Sequence, residues 1–205
     1  MPGDPPEAVR AAQSRSGRRS SLARAAPGDP DGLTVVGIGA SAGGLDAFRS
    51  LLNALHDSAG AAFIFVQHLA PTHESMMVDL LSSHTSMIVR QAANGMAIEP
   101  GHIYVIPPAI YLSVGAGVLQ LSQPQARQGA RLPFDFLLVS LAEEYGPRAI
   151  CVVLSGTGAD GSIGLRAVKK SGGLVIAQDP DEAGYDGMPR NAIATGEVDL
   201  DSLSE

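Results

Sequence analysis

An apolar run from Leu33 to Ile38 passes without a polar break into Gly37-Ile-Gly39-Ala-Ser41-Ala-Gly43-Gly44, and the chain then reopens as a helix-like segment, Leu45 to Leu55. A continuous run of this kind predicts a strand buried on both faces, and strand, glycine turn and helix in succession point to an α/β fold. Ser41 then lies at the carboxyl end of a strand. Open α/β sheets place ligands and chemistry at that edge, because the following helix aims its unpaired backbone N–H groups into the same crevice.

Three readings compete for these residues. Gly37-Ile-Gly39-Ala-Ser-Ala42 satisfies the G-x-G-x-x-G/A dinucleotide fingerprint, whose glycines let backbone approach a pyrophosphate. Gly39-Ala-Ser41-Ala-Gly43 satisfies G-x-S-x-G, the nucleophile elbow, whose small neighbours let a serine hydroxyl stand exposed on a tight turn. The third is a glycine-rich turn with no chemistry.

Downstream, the apolar segments alternate in kind, as βαβ units with a mostly parallel sheet require. Strands are expected at Ala61 to Val66, Met87 to Ala92, Ala149 to Leu154 and Leu174 to Ala177. Helices are expected from Pro71-Thr72 to Leu81, from Pro133 or Phe134 to Tyr145, and from Gly161 to Lys170. Gly95 to Ile106 and Tyr111 to Leu121 contain short β-rich runs broken by Pro100-Gly101, Pro107-Pro108 and Gly115-Ala-Gly117, which predict an antiparallel hairpin at one edge of the sheet. Gln123 to Leu132 reads as an exposed loop, and Val198 and Leu200 as a possible closing strand. The expected architecture is a doubly wound, mostly parallel Rossmann-like sheet flanked by helices.

Residues 1–32 are of different composition: Pro, Gly, Ser, Ala and five arginines, with few large apolar side chains. Such a segment buries too little surface to offset its ordering entropy, so a disordered tail is expected ahead of one domain, 33–205. With 45% hydrophobic residues that domain has material for a core. A formal charge of −7 argues against nonspecific nucleic-acid binding, which needs a basic face. No apolar run approaches the length of a membrane span, and the residues after Arg18-Arg19 hold no apolar region of the kind a twin-arginine signal needs; a cytoplasmic, monomeric protein without membrane insertion is the expectation. The single cysteine, Cys151, lies inside an apolar strand and reads as core packing.

The dinucleotide reading demands an Asp or Glu at the end of the second strand to hold ribose hydroxyls. Gln67-His68 stands there instead. A histidine at that place suits the nucleophile reading, because neighbouring parallel strands bring their carboxyl ends to one edge and the imidazole can act as base for Ser41. His56, His73, His84 and His102 are less well placed. The imidazole in turn needs an orienting group. Asp160, in Ser155-Gly-Thr-Gly-Ala-Asp160-Gly161, follows the strand Ala149 to Leu154 and reaches the same edge if the strand order is 3-2-1-4-5. Its alternative role is a cap for the helix beginning at Gly161.

The stretches G-I-G-A-S-A-G-G (37–44), V-Q-H-L (66–69), L-S-G-T-G-A-D-G (154–161) and Y-D-G-M-P-R (185–190) together resemble the catalytic domain of CheB-type protein-glutamate methylesterases of bacterial chemotaxis, over about Val35 to Asp199. Pro71 to Ser75, P-T-H-E-S, is similar to members in which this domain is fused to, or works beside, a receptor methyltransferase. The resemblance implies Ser41 as nucleophile, His68 as general base and then acid, and Asp160 as orienting carboxylate. It further implies hydrolysis of glutamate methyl esters on chemoreceptor helices with release of methanol, some glutamine deamidation, and no cofactor. The expected oxyanion donors are the backbone N–H of Ala42 and one in the Gly156-Thr157-Gly158 loop, although better-known members carry methionine where this chain has Thr157. Arg190 is a candidate for holding an acidic receptor segment. Residues 1–32 are too few for the receiver domain many members carry, so control through a separate response regulator or a methyltransferase partner is the expectation. A catalytically silent adaptor of the same fold, docking on receptors or a kinase, is the alternative.

Overall fold

The computed structural model describes residues 32–55, 60–67, 74–124 and 132–201. The described strands and α-helices are β1 (Thr34–Ala40), α1 (Gly44–Ala54), β2 (Ala61–Gln67), α2 (Glu74–Ser82), β3 (Ile88–Gln91), β4 (His102–Val105), β5 (Tyr111–Gly115), β6 (Val118–Ser122), α3 (Pro133–Tyr145), β7 (Ala149–Val153), α4 (Gly164–Lys170), β8 (Leu174–Ala177) and α5 (Gly187–Ala194). Six strands form one sheet in the order β3-β4-β2-β1-β7-β8, with every pairing parallel. The doubly wound α/β class expected from the sequence is the observed one.

Helices cover both faces, which is why the strands read as continuous apolar runs. On one side Phe48 and Leu52 of α1 and Met77 and Leu81 of α2 meet Val36, Ile38, Phe63 and Phe65, and Phe48 stacks on Phe65 with ring centroids 4.1 Å apart. On the other side α3, α4 and α5 supply Phe134, Leu138, Leu165, Val168, Met188 and Ala192 against Val35, Ile64, Cys151 and Val175. Cys151 is fully buried there, and burial pushes its thiol far up from the ordinary range, as a packing residue requires.

Gly37 and Gly39 are explained by this second layer. A Cβ on Gly37 would stand 3.1 Å from Leu141 Cδ2, and one on Gly39 would stand 2.1 Å from Phe134 Cδ1. The Phe134 ring is wedged between Gly39 and Gly161, whose own Cβ would come within 2.7 Å of it. The glycines of the fingerprint-like motif therefore let α3 cross β1 closely. Gly39→Ala is expected to cost about 3 kcal/mol, the upper end of overpacking penalties, lowering Tm by roughly 10 °C in a domain of this size. A thermal melt checks it, and an unchanged Tm would show that the ring has room to move.

The structure corrects the sequence reading in three places. Of the expected Gly95 to Ile106 run, the part from Gly95 to Ile98 does bond antiparallel to β6, but residues 102–105 join no hairpin: β4 is a parallel strand inside the sheet, between β2 and β3, with all four residues buried. The strand order 3-2-1-4-5 thereby gains an interior strand, while β1 keeps β2 and β7 as neighbours. The hairpin itself is β5-β6, a separate two-stranded antiparallel sheet rather than an edge of the main one. Ala116 and Gly117, at φ 52° and 72°, supply its two-residue turn. It lies on α3, whose Ser140 Oγ and Glu144 Oε1 accept from the Val114 and Gly117 N–H groups at 3.1 and 3.0 Å. Finally, the helix expected from Gly161 begins at Gly164, after a turn.

Leu200 pairs with Ile176 through an isolated parallel bridge, so the expected closing strand is reduced to one bridge. Residues 71–73 of the second expected helix and 125–131 of the expected loop lie outside the described residues, as do all but the last residue of the expected tail. Among the described residues no helix is long and apolar enough to cross a membrane.

Candidate active site

Parallel pairing fixes what meets at the carboxyl edge of the sheet. Ala40 pairs with Gln67 and Gly39 with Val153, so the chain leaves β1 at Ser41 beside the end of β2 and beside the loop that follows β7. Ser41 opens a tight turn: the Gly44 N–H donates to Ser41 O at 3.0 Å, and Gly43 takes φ 70°, ψ −2°. That conformation fits the third position of a type II turn, which requires positive φ and hence favours glycine.

Neighbouring segments hold the peptides of this turn, through one backbone carbonyl and two side chains. The Ser41 N–H donates to Ser155 O at 3.1 Å, and Gln67 Nε2 donates to Ser41 O at 3.2 Å. The Ser155 hydroxyl, in a residue only 1% exposed, donates to Ala42 O at 2.9 Å and accepts from the Tyr185 N–H at 3.0 Å. Gly156 N–H donates to Tyr185 O at 2.9 Å and Met188 N–H donates to Gly156 O at 2.8 Å, tying the start of α5 to the same loop. Gly156 allows this closeness, since a Cβ there would lie 2.9 Å from Ser41 Cβ and 2.3 Å from Met188 Sδ. The Ser41 turn, the Leu154-to-Gly161 loop and the Tyr185-to-Met188 segment are thus one bonded unit.

Asp160 is 9% exposed and its carboxylate accepts from two N–H groups of α3, Phe134 at 3.1 Å and Asp135 at 3.0 Å. It caps α3, not the helix that follows it in sequence. That helix is capped by Asp135, whose Oδ1 accepts from Ile163 and Gly164 N–H at 2.9 and 2.6 Å. Asp160, in the turn before α4, thus anchors the start of α3, and Asp135 of α3 anchors the start of α4, with the negative charges where the helix dipoles favour them.

Among the other sequence candidates, the Ala42 N–H donates to no described residue, and Thr157 is exposed in the loop after β7. Arg190 lies on α5, exposed, with Nε 2.5 Å from Asp186 Oδ2 and a second nitrogen 3.7 Å from Asp181 Oδ1. That hydrogen bond holds the Asp186 carboxyl below its ordinary range. The guanidinium is already engaged by acids of its own chain. His68 lies outside the described residues; its strand ends at Gln67, beside Ala40. No cluster of three or more His, Cys, Asp or Glu among the described residues is arranged to hold a metal ion.

Sequence reasoning missed Gln67 and Ser155. Gln67 entered only as the absence of an acid, and Ser155 only as part of a loop, because their roles are bonds to backbone groups far away in the chain. The arrangement can present a hydroxyl on a rigid turn with an unspent N–H beside it, which suits acyl transfer.

The sequence model of the family described as CheB methylesterase matches residues 36–205. A protein-glutamate methylesterase/protein-glutamine glutaminase of Moorella thermoacetica is 36% identical over 85% of this chain and 42% of its own length. Protein-glutamate methylesterase FrzG of Myxococcus xanthus is 35% identical over 82% of this chain and 50% of its own length. The chain therefore spans half or less of these relatives. The crystal structure of the Thermotoga maritima CheB methylesterase catalytic domain superposes with a TM-score of 0.76 at 30% identity, covering 82% of this chain and 92% of that one.

Proposed function

This chain belongs to the CheB methylesterase family, and from that premise we propose that it hydrolyses methyl esters of glutamate side chains on the cytoplasmic helices of chemoreceptors, releasing methanol, and deamidates glutamine at such sites. Residues 33–205 are its catalytic domain, preceded by a tail, and it works in the cytoplasm. A receptor methyltransferase or a separate response regulator is the expected further partner.

In the proposed reaction the Ser41 hydroxyl attacks the ester carbonyl while His68 takes its proton. The tetrahedral oxyanion is stabilised by the Ala42 N–H and a donor of the Thr157 loop. The intermediate collapses with methanol leaving, protonated by His68, and water then repeats the sequence on the acyl-serine. Asp160 orients the imidazole and stabilises its charged form. Arg190 is the weakest assignment, since Asp186 and Asp181 compete with any acidic substrate for it.

The observation that carries this reading is the Ser41 turn, which sets a half-buried serine at the carboxyl edge of the sheet while its backbone is fully tied to neighbouring segments. Methanol release from methyl-esterified receptor fragments tests it. Release by the purified chain is expected; none, with the fragment still bound, would favour an adaptor.

A further inference from the structure

We propose that Gln67 is a positioning residue for the acyl-transfer step, setting the direction and the donor strength of the Ala42 N–H through the Ser41 carbonyl; the inference rests on the reading of Ser41 as nucleophile. Gln67 ends β2 opposite Ala40 of β1, so its side chain comes alongside the turn that carries Ser41. Its Nε2 donates to Ser41 O at 3.2 Å, and the same carbonyl accepts from Gly44 N–H at 3.0 Å. No described peptide bond is cis, so the Ser41–Ala42 peptide is trans and its N–H points opposite to its C=O. The Ala42 N–H is therefore aimed away from Gln67 and Gly44, on the residue next to the nucleophile, and it meets no described acceptor.

Two hydrogen bonds into one carbonyl polarise the whole amide and strengthen its N–H as a donor. A preoriented donor is worth most where negative charge develops, on the oxygen of the tetrahedral intermediate. Gln67 thus acts on the oxyanion at one remove, without touching substrate.

The second observation is the other end of the same amide. Gln67 Oε1 is buried and has no hydrogen-bond partner among the described residues. Turning the amide over would set Oε1 against Ser41 O, acceptor against acceptor, so the orientation is fixed by the carbonyl it serves. A buried amide with one unmet oxygen costs the fold more than an apolar side chain of the same size. Packing therefore does not explain a glutamine here, whereas orienting the peptide does. The next peptide, Ala42–Gly43, is held independently by the Ser155 hydroxyl, so the turn does not depend on Gln67 for its existence.

The experiment compares methanol release by the wild-type chain, Ser41→Ala, Gln67→Met and Gln67→Glu across pH. Gln67→Met is expected to lower kcat about 10–100-fold, less than outright loss of an oxyanion donor, with KM unchanged and Tm unchanged or higher. Gln67→Glu cannot donate to Ser41 O as a carboxylate but can as an acid. Its kcat relative to wild type at the same pH should rise as pH falls towards the carboxyl range, while the ratio for Gln67→Met stays flat. A merely structural residue would lose kcat only together with Tm and would show no such pH dependence. Wild-type kcat in Gln67→Met, or a loss that follows its Tm, overturns the proposal even if Gln67→Glu does not fold. Wild-type release no faster than that of Ser41→Ala overturns the esterase reading, and this inference with it.

Discussion

Replacing Ser41 with alanine is expected to reduce methanol release by a factor on the order of 10³ or more, towards background, the loss typical of a triad nucleophile. The structure says why this variant is a clean test. Among the described residues, every bond that Ser41 contributes to the turn is made by its backbone: its N–H to Ser155 O, and its carbonyl to Gly44 N–H and Gln67 Nε2. Removing Oγ leaves these in place, so Tm should be unchanged while activity is lost. A melt and a methanol assay on the same preparation check both halves. Equal release by the two proteins would rule out the serine mechanism.

Asp160→Asn is expected to lose activity and stability together, and the two losses can be separated. The carboxylate accepts from both the Phe134 and the Asp135 N–H groups. Asparagine offers one carbonyl oxygen, and its NH2 would face the other donor. The unmet N–H at the start of α3 should cost about 1–3 kcal/mol. If Asp160 also orients the catalytic imidazole, kcat should fall by about 10⁴, since the asparagine at this position in a serine triad favours the wrong tautomer. Measuring kcat well below Tm, corrected for the folded fraction, distinguishes the effects. A fall no larger than the unfolded fraction would reduce Asp160 to a helix cap.

Much of the chain could be read from local pattern. β1, β2 and β7 are apolar on both faces because helices cover both, and that two-sided burial leaves a continuous run in the sequence. The limits of α3 follow from Pro133 at its first turn and Gly146 just past its end. β4 was misplaced because four residues flanked by Pro-Gly and Pro-Pro read as a hairpin arm, and only the sheet shows that both of its faces are buried. The hairpin's turn chemistry was legible at Gly115-Ala-Gly117, but not that the hairpin packs on α3 rather than extending the sheet.

The sequence by itself determined the α/β alternation, the strand-to-helix turn at Ser41 and the family, because each of these is written in residues close together in the chain or in motifs of fixed spacing. What Gly39, Gln67, Ser155 and Asp160 do was decided by the tertiary structure alone. Gly39 makes room for a phenylalanine 95 positions away. Asp160 caps a helix that precedes it rather than the one that follows. Gln67 and Ser155 hold the two peptides of the Ser41 turn from other strands and loops. A side chain's hydrogen-bond partner depends on which segments the sheet order brings together, and that order is set by burial of whole strands and helices, which no local run of residues records.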